Sequence, residues 1–294
     1  MTGELAGLAC AGAWAVISMI LRGAAEHISP VAVNGLRCTF AAVTLAIIVA
    51  LTGRIDALVA LPIGVLTAIV ISGVVGQAIG DALFIRSAKT VGASRALPIS
   101  GISPLLTVAL AAAFLGETPS PFGVLGAFFV LAGVYLLAFP YGRLKNTGDL
   151  ISKADRTGVL FALAAAGCYS ISTVVIRHGL VGADLVAANL ARLVTASFML
   201  MGLEVAQAGP RMPRGLSRRT LVIMVLTGAL SAFSSLMYLT SVYYAGAGKA
   251  AILNSTSPLF GLPLSLVFLR ERITRRTIGG TLLSVAGIWL VIWQ

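Results

Sequence analysis

Two stretches of the chain align residue by residue: ALFIRSAKTVGASRALPISGISPLLTVALAAAFLGE (Ala82–Glu117) and LMYLTSVYYAGAGKAAILNSTSPLFGLPLSLVFLRE (Leu236–Glu271). At a constant offset, identical residues align: Ser87 with Ser241, Gly92 with Gly246, Ser103-Pro104 with Ser257-Pro258, Glu117 with Glu271, Gly126 with Gly280 and Gly133 with Gly287. With one residue of slippage, Asn34 matches Asn189, Arg37 matches Arg192 and Trp14 matches Tyr169. The chain is therefore an internal duplication, and a duplication determines the architecture more strongly than any single motif.

The composition is that of a membrane protein. Of 294 residues, 58% are hydrophobic and only 11% are charged, whereas a soluble domain carries about a quarter charged residues. The formal net charge of +11 comes from Lys and Arg between apolar runs, which is typical of membrane loops and gives no indication of a nucleic-acid partner. The three cysteines lie singly within apolar runs, so we interpret them as small buried residues.

The apolar runs predict an all-α integral membrane protein with ten transmembrane helices, since each run approaches the length of about 20 residues that crosses a bilayer. The predicted spans are Gly3–Leu21, Ser29–Leu51, Leu61–Ile85, Gly92–Leu115, Pro121–Phe139, Thr157–Ile176, Asp184–Ala206, Arg219–Tyr243, Gly248–Leu269 and Arg276–Ile292. They divide the chain into a first five-helix repeat (residues 1–140), a polar linker (141–155) and a second five-helix repeat (156–294). Five is an odd number, so the halves enter the membrane from opposite sides and form two inverted repeats.

Basic residues concentrate in the loops that follow the odd-numbered spans. The opposite side carries only Arg54, Arg177 and Lys249. The positive-inside rule therefore predicts that both termini lie outside the cell.

Asp81 lies within the third predicted span, with Gln77 and Phe84 on the same helical face. A buried carboxylate in a membrane faces a cavity, carries a proton or is paired. Two interpretations stay open: a group that couples transport to protons or substrate, and an acid paired with Arg86 or Lys89 near the headgroups.

Serines and prolines inside the spans indicate the substrate path. Ser100 and Ser103 precede Pro104, and Asn254 and Ser257 precede Pro258. Each proline removes a backbone donor and frees a carbonyl, which is tolerated beside a wet cavity. Ser231, Ser234, Ser235, Tyr238 and Ser241 form a hydroxyl-rich face on the eighth span, and Trp14 and Tyr169 form a matched aromatic pair.

We expect Arg37 and Arg192 to be structural. The open alternatives are snorkelling to the membrane surface and two ion pairs between the halves, Arg37 with Glu271 and Arg192 with Glu117. Gly-x6-Gly in the fifth and tenth spans, Gly126–Gly133 and Gly280–Gly287, predicts close helix contact.

The ten spans, the five-plus-five repeat, the two Ser-Pro pairs, Leu-Gly-Glu at Leu115–Glu117 and Leu-Arg-Glu at Leu269–Glu271 together resemble the EamA branch of the drug/metabolite transporter superfamily. The resemblance covers essentially the whole chain. It implies a secondary carrier, commonly an exporter of amino acids or other metabolites, with both termini in the cytoplasm, which is opposite to the orientation that the loop charges predict. It also implies a cavity formed by spans 1, 3, 4, 6, 8 and 9, which carry the following residues here: Trp14, Gln77, Asp81, Phe84, Ser100, Ser103, Tyr169, Ser234, Tyr238, Asn254 and Ser257.

We therefore predict a multi-pass protein of the plasma (bacterial inner) membrane that moves a small amphipathic metabolite by alternating access. A cavity of hydroxyl, amide and aromatic groups with one acid favours a zwitterion, an aromatic amino acid or an amphipathic drug. We expect no catalytic residue, cofactor, metal or nucleic-acid partner, and a monomer that contacts its substrate and the lipid bilayer. The alternative is an ion or divalent-cation channel, and a membrane enzyme is a weaker rival.

Overall fold

The structure is a computed structural model that describes residues 1–22, 29–91, 96, 99–138, 153–208, 217–257, 259–261 and 275–293. Within these residues the regular secondary structure is entirely helical. The helices are α1 (Thr2–Arg22), α2 (Pro30–Leu51), α3 (Ile55–Val59), α4 (Ile63–Ser72), a π-helix (Gly73–Gly80), α5 (Asp81–Val91), α6 (Ser103–Leu115), α7 (Pro121–Ala138), α8 (Lys153–Gly179), α9 (Leu185–Ala208), α10 (Arg218–Ala245), α11 (Ala247–Asn254) and α12 (Arg275–Ile292).

The helix ends follow from local sequence. Ser29 and Ser217 each accept a hydrogen bond from a backbone N–H three residues on, which caps α2 and α10. Asp184 caps α9 through two backbone N–H groups. Gly116 ends α6 with a φ of 66° and Gly246 separates α10 from α11 with a φ of 90°, conformations that glycine adopts without strain.

Six helices of the described residues are long and apolar enough to cross a membrane: Thr2–Leu21, Val31–Leu51, Ile63–Ser87, Arg156–Gly179, Leu185–Ala206 and Arg218–Ala245. Three shorter apolar helices are Ser103–Leu115, Pro121–Leu136 and Ile278–Ile292. The all-helical membrane class is thus confirmed, while ten crossings stay a prediction. Helix α8 begins at Lys153, within the predicted polar linker. The preceding linker residues, 141–152, lie outside the described part of the chain.

Helix bounds recur at the spacing of the sequence repeat. The last residues of α5 and α10, Val91 and Ala245, are separated by the same interval as Ala82 and Leu236. Both ends of α7 and α12 obey the same interval, and the first residues of α2 and α9 obey it with one residue of slippage. The two copies therefore form the same local structure along most of their described length.

Helix packing links the two halves of the chain. Helix α1 packs on α10, and α8 packs on the continuous helix that α4, the π-helix and α5 form. Helix α2 packs on α9, and α7 packs on α12. The duplication matches the pair of α1 with α10 to the pair of α8 with the continuous helix. It matches the α2–α9 pair and the α7–α12 pair each to itself. Large apolar side chains such as Ile47, Phe114 and Phe198 face outward, as expected for helices whose solvent is lipid.

The contact between α7 and α12 depends on glycine. A Cβ atom on Gly126 would lie 2.7 Å from the carbonyl oxygen of Gly287, and one on Gly287 would lie 2.6 Å from that of Gly126. These distances are too short for any side chain, so the backbones touch. The predicted close contact of these glycine-bearing helices is confirmed.

The Ser-Pro pairs lie beside helix breaks. Pro104 stands in the first turn of α6, after a turn at Gly101–Ile102, where a missing N–H removes no helical hydrogen bond. Pro104 therefore lies within the predicted span Gly92–Leu115, directly after a break, and begins the helix that follows. A matching turn, Ser255–Thr256, follows α11; Pro258 lies outside the described residues.

Candidate functional site

A cavity of about 370 Å³ lies where α1, α2, the π-helix, α5, α6, α8, α9, α10 and α11 meet, and we name it the central cavity. Its wall consists of Trp14, Asn34, Arg37, Gly76, Gln77, Asp81, Ser103, Thr107, Tyr169, Ser172, Thr173, Arg192, Leu193, Ser231, Ser235, Tyr238, Ala251 and Asn254. The volume falls in the range of small-molecule sites, about 300–1,000 Å³. Both halves of the chain contribute charged and aromatic side chains, so the cavity is shared between them.

The structure brings seven of the eleven predicted substrate-binding residues to this wall: Trp14, Gln77, Asp81, Ser103, Tyr169, Tyr238 and Asn254. Four others, Phe84, Ser100, Ser234 and Ser257, do not line it. Phe84 is three residues beyond Asp81, which in an α-helix rotates it about 60° off the Asp81 face. Ser234 is fully buried against α1, where its hydroxyl lies 3.4 Å from the sulfur of Cys10.

Asp81 occupies the centre of a hydrogen-bonded chain. Its carboxylate accepts from the Tyr169 hydroxyl at 2.8 Å and from the Asn34 amide at 2.5 Å. The carbonyl of the same Asn34 side chain accepts from the guanidinium of Arg37. Because Arg86 is exposed on the outer surface, the interpretation of Asp81 as a partner of Arg86 is wrong; the side chain of Lys89 lies outside the described residues.

Arg37 and Arg192 both line the central cavity, each only 7% exposed. Arg37 donates to the Ser231 hydroxyl at 2.9 Å, and its guanidinium carbon lies 4.8 Å from the centre of the Trp14 ring. Arg192 donates through Nε to the Ser72 hydroxyl at 3.3 Å. Neither side chain snorkels to the surface, because each points inward from its helix to polar partners.

Glu117 has partners other than the one predicted. Its carboxylate accepts from Nε of Arg177 at 3.3 Å and from the backbone N–H groups of Ala247 and Gly248 at 3.0 and 3.2 Å. The predicted ion pair between Glu117 and Arg192 is therefore wrong: the exposed end of α8 brings Arg177 closer, and the first turn of α11 supplies unpaired N–H donors. Glu271, the predicted partner of Arg37, lies outside the described residues.

A second cavity of about 410 Å³ adjoins this Glu117 contact. Arg177, Lys249 and Glu117 lie on its wall, beside the segment Tyr244–Gly246 that joins α10 to α11. Glu117 belongs to the first half and its three donors to the second. The contact therefore ties the two halves of the chain together.

The central cavity can bind a small solute that has polar and apolar parts. Two guanidinium groups and one carboxylate can recognise charges of either sign, and three aromatic rings can contact an apolar portion. Among the residues that the structure describes, no group of three or more His, Cys, Asp or Glu side chains could hold a metal ion.

Comparison with known proteins assigns the family. The model of the EamA-like transporter family matches residues 1–139 and again residues 156–293. The chain belongs to the EamA-like transporter family. Its members are transporters, and the chain is accordingly a multi-pass transporter of the membrane.

Individual relatives agree with this assignment. An "Uncharacterized transporter" of Archaeoglobus fulgidus is 24% identical over 225 residues, which cover 76% of this chain and 75% of that protein. A "Probable terminal-alkyne amino-acid exporter" of Streptantibioticus cattleyicolor is 35% identical over 114 residues, 38% of this chain and 37% of that protein. These sources are archaeal and bacterial, in agreement with the predicted plasma (bacterial inner) membrane.

A solved structure, titled "Crystal structure of protein", superposes with a TM-score of 0.81. It covers 99% of this chain and 95% of the other chain, at 18% sequence identity. At that identity the likeness concerns the fold alone.

Proposed function

We propose that the chain is a secondary carrier that exports an amino acid or a similar amphipathic solute. The observation that carries this proposal is the central cavity, which both halves form and which contains two arginines, one aspartate and three aromatic rings. A zwitterion with an apolar side chain complements all three kinds of group. The relative named as an amino-acid exporter supports the same substrate class and the outward direction.

The proposed mechanism is alternating access by ten helices in two inverted repeats. The recurrence of helix bounds and the interchangeable packing of the halves support this arrangement. The paired breaks at Gly101–Ile102 and Ser255–Thr256 resemble the discontinuous helices at which carriers bind substrate near the middle of the membrane. One chain supplies both halves of the cavity, so a monomer suffices.

Counterflow in proteoliposomes tests the carrier. Vesicles preloaded with unlabelled L-amino acids, each in turn, are diluted into the same amino acid labelled with ¹⁴C. A carrier accumulates label transiently above equilibrium for at least one amino acid. Simple equilibration of label, without overshoot, would indicate a channel, and no uptake of any amino acid would overturn the substrate class.

Two tryptophan substitutions on α10 serve as a matched pair in this assay. Ser235 lies on the cavity wall, whereas Phe233 is 48% exposed on the outside of the protein. Ser235→Trp fills the cavity and should abolish counterflow, and Phe233→Trp should leave it unchanged. Equal counterflow in the two variants would contradict transport through the central cavity.

A further inference from the structure

The two cavity arginines are repeats of each other in different surroundings. Arg37 and Arg192 lie seven residues after the first residue of α2 and of α9, at positions that match in the duplication. Each follows a matching asparagine by three residues. Asn34 donates to Asp81 at 2.5 Å, and Asn189 donates at 2.9 Å to Ser235, the residue that matches Asp81. The second copy thus repeats the contact of the first but has a neutral hydroxyl in place of the carboxylate.

The hydrogen bonds of the Arg37 guanidinium are made to side chains of the protein itself. One terminal nitrogen of its guanidinium donates to Ser231 and the other donates to Asn34, whose amide continues to Asp81. The Trp14 ring covers one face of the guanidinium. Arg37 therefore has a fixed orientation and a carboxylate that compensates its charge through one intervening side chain.

Among the described residues, Arg192 has no such hydrogen-bonded link to a carboxylate. Its Nε donates to Ser72, and its guanidinium carbon lies 5.9 Å from the centre of the Tyr238 ring. Within the described residues, no carboxylate pairs with Arg192 and no acceptor bonds its two terminal nitrogens. A cation that is only 7% exposed is unfavourable unless an anion reaches it.

We propose that Arg192 is the residue that binds the carboxylate of the transported solute. Its two terminal nitrogens form the planar fork that matches the two oxygens of a carboxylate. Arg192 lines the cavity while its Nε donates to Ser72. The ligand class is a monocarboxylate whose apolar part contacts the aromatic rings of the cavity wall. This inference rests on the proposed function, because it names the anchoring group of the same cavity.

Ligand binding to the purified full-length protein in detergent tests the anchor. Each of the twenty L-amino acids and its α-amide is screened by thermal shift, and the dissociation constants of the best-binding acid and its amide are then measured by calorimetry. The amide keeps the size and the ammonium group but loses the carboxylate charge. Removing one partner of a buried charge pair costs at least tenfold in affinity and commonly about thirtyfold or more, so the wild type should prefer the acid by about that factor.

Three variants separate the anchor from a structural role. Arg192→Gln should bind the acid and the amide equally. Arg192→Lys keeps the charge and should retain part of the preference for the acid. If Arg192→Gln does not fold, the preference of Arg192→Lys is compared with that of the wild type instead. Arg37→Gln, the matched cavity arginine, should bind more weakly but should still prefer the acid. An unchanged preference for the acid in Arg192→Gln, or its loss in Arg37→Gln alone, would overturn the proposal.

A second ligand panel separates this inference from the amino-acid assignment. If no amino acid binds the wild type, butyrate and 3-phenylpropionate are compared with their amides in the same variants. Binding of these acids that depends on Arg192 would support the anchor and overturn the amino-acid class. Failure of every acid to bind would overturn the anchor, while counterflow of another solute would still support a carrier.

Discussion

Replacing Arg37 by glutamine should destabilise the empty protein, whereas the same replacement of Arg192 should leave its stability unchanged or raise it. Arg37 and Arg192 are the same residue at matching repeat positions with the same 7% exposure. They differ in their partners, since the charge of Arg37 is compensated and that of Arg192 awaits a ligand. The difference in unfolding free energy between the two variants therefore reports how the surroundings of each charge affect stability.

The magnitudes follow from the contacts. Arg37→Gln loses two hydrogen bonds made by a charged group, at about 1.5–3 kcal/mol each, and the contact with Trp14 at 4.8 Å. Removing the Arg37 charge brings no net gain, because it leaves the Asp81 carboxylate without the cation to which Asn34 connects it. Glutamine can restore one bond, so we expect a loss of about 3–5 kcal/mol. Arg192→Gln loses one bond of 3.3 Å but removes a charge that costs about 2.5–3.5 kcal/mol at the centre of a membrane helix. The net change should lie between zero and a gain of about 2 kcal/mol.

Unfolding in mixed micelles measures this difference. Each variant is titrated with SDS without ligand, and helix loss is followed by circular dichroism to give the free energy of unfolding. The two variants should differ by about 3 kcal/mol or more. Equal losses, or a greater loss for Arg192→Gln, would refute the statement that Arg192 is uncompensated in the empty cavity.

Two further substitution pairs test contacts elsewhere in the fold by the same titration. Glu117→Gln removes the charge that two backbone N–H groups of α11 and one guanidinium share, and should cost about 2 kcal/mol. The control Asp56→Asn, an exposed acid, should change stability by less than about 0.5 kcal/mol, and equal effects would contradict the Glu117 contact. Gly287→Ala places a Cβ 2.6 Å from the carbonyl oxygen of Gly126, and should cost about 1–3 kcal/mol. Gly279→Ala on the same helix meets nothing within 4 Å and should be neutral or stabilise by up to about 1 kcal/mol; indistinguishable variants would contradict the close approach of α7 and α12.

The repeat made much of the fold predictable. Matching positions located the helices, and the breaks beside Ser103 and after Asn254 follow from residues that the duplication highlights. The π-helical geometry of Gly73–Gly80 was not predictable, because its sequence is equally compatible with an α-helix. It arises where α8 packs closely: a Cβ on Gly76 would lie 2.4 Å from the hydroxyl of Ser172.

The site was predicted in part, and the errors have physical causes. Ser234 and Ser235 are adjacent on a polar helical face, and only the position of α1 decides that Ser234 bonds to Cys10 while Ser235 faces the cavity. Both arginines line the cavity, whereas the sequence alone left snorkelling and ion pairs open, because a long side chain can reach either the surface or the interior from one Cα position. The sequence did contain a signal for the unbalanced charge of Arg192. The repeat matches Arg37 to Arg192, but it matches the acid Asp81 to the neutral Ser235.

Thiol labelling of matched positions tests most directly the opposed orientation of the two halves. Thr2→Cys and Thr157→Cys place single cysteines at exposed, equivalent sites near the starts of α1 and α8. Cys10, Cys38 and Cys168 are replaced by serine, and an impermeant maleimide is added to intact and to permeabilised cells. We predict that one position is labelled in intact cells and that the other is labelled only after permeabilisation. Labelling of both positions from the same side of the membrane would contradict the inverted repeat and the carrier mechanism that depends on it.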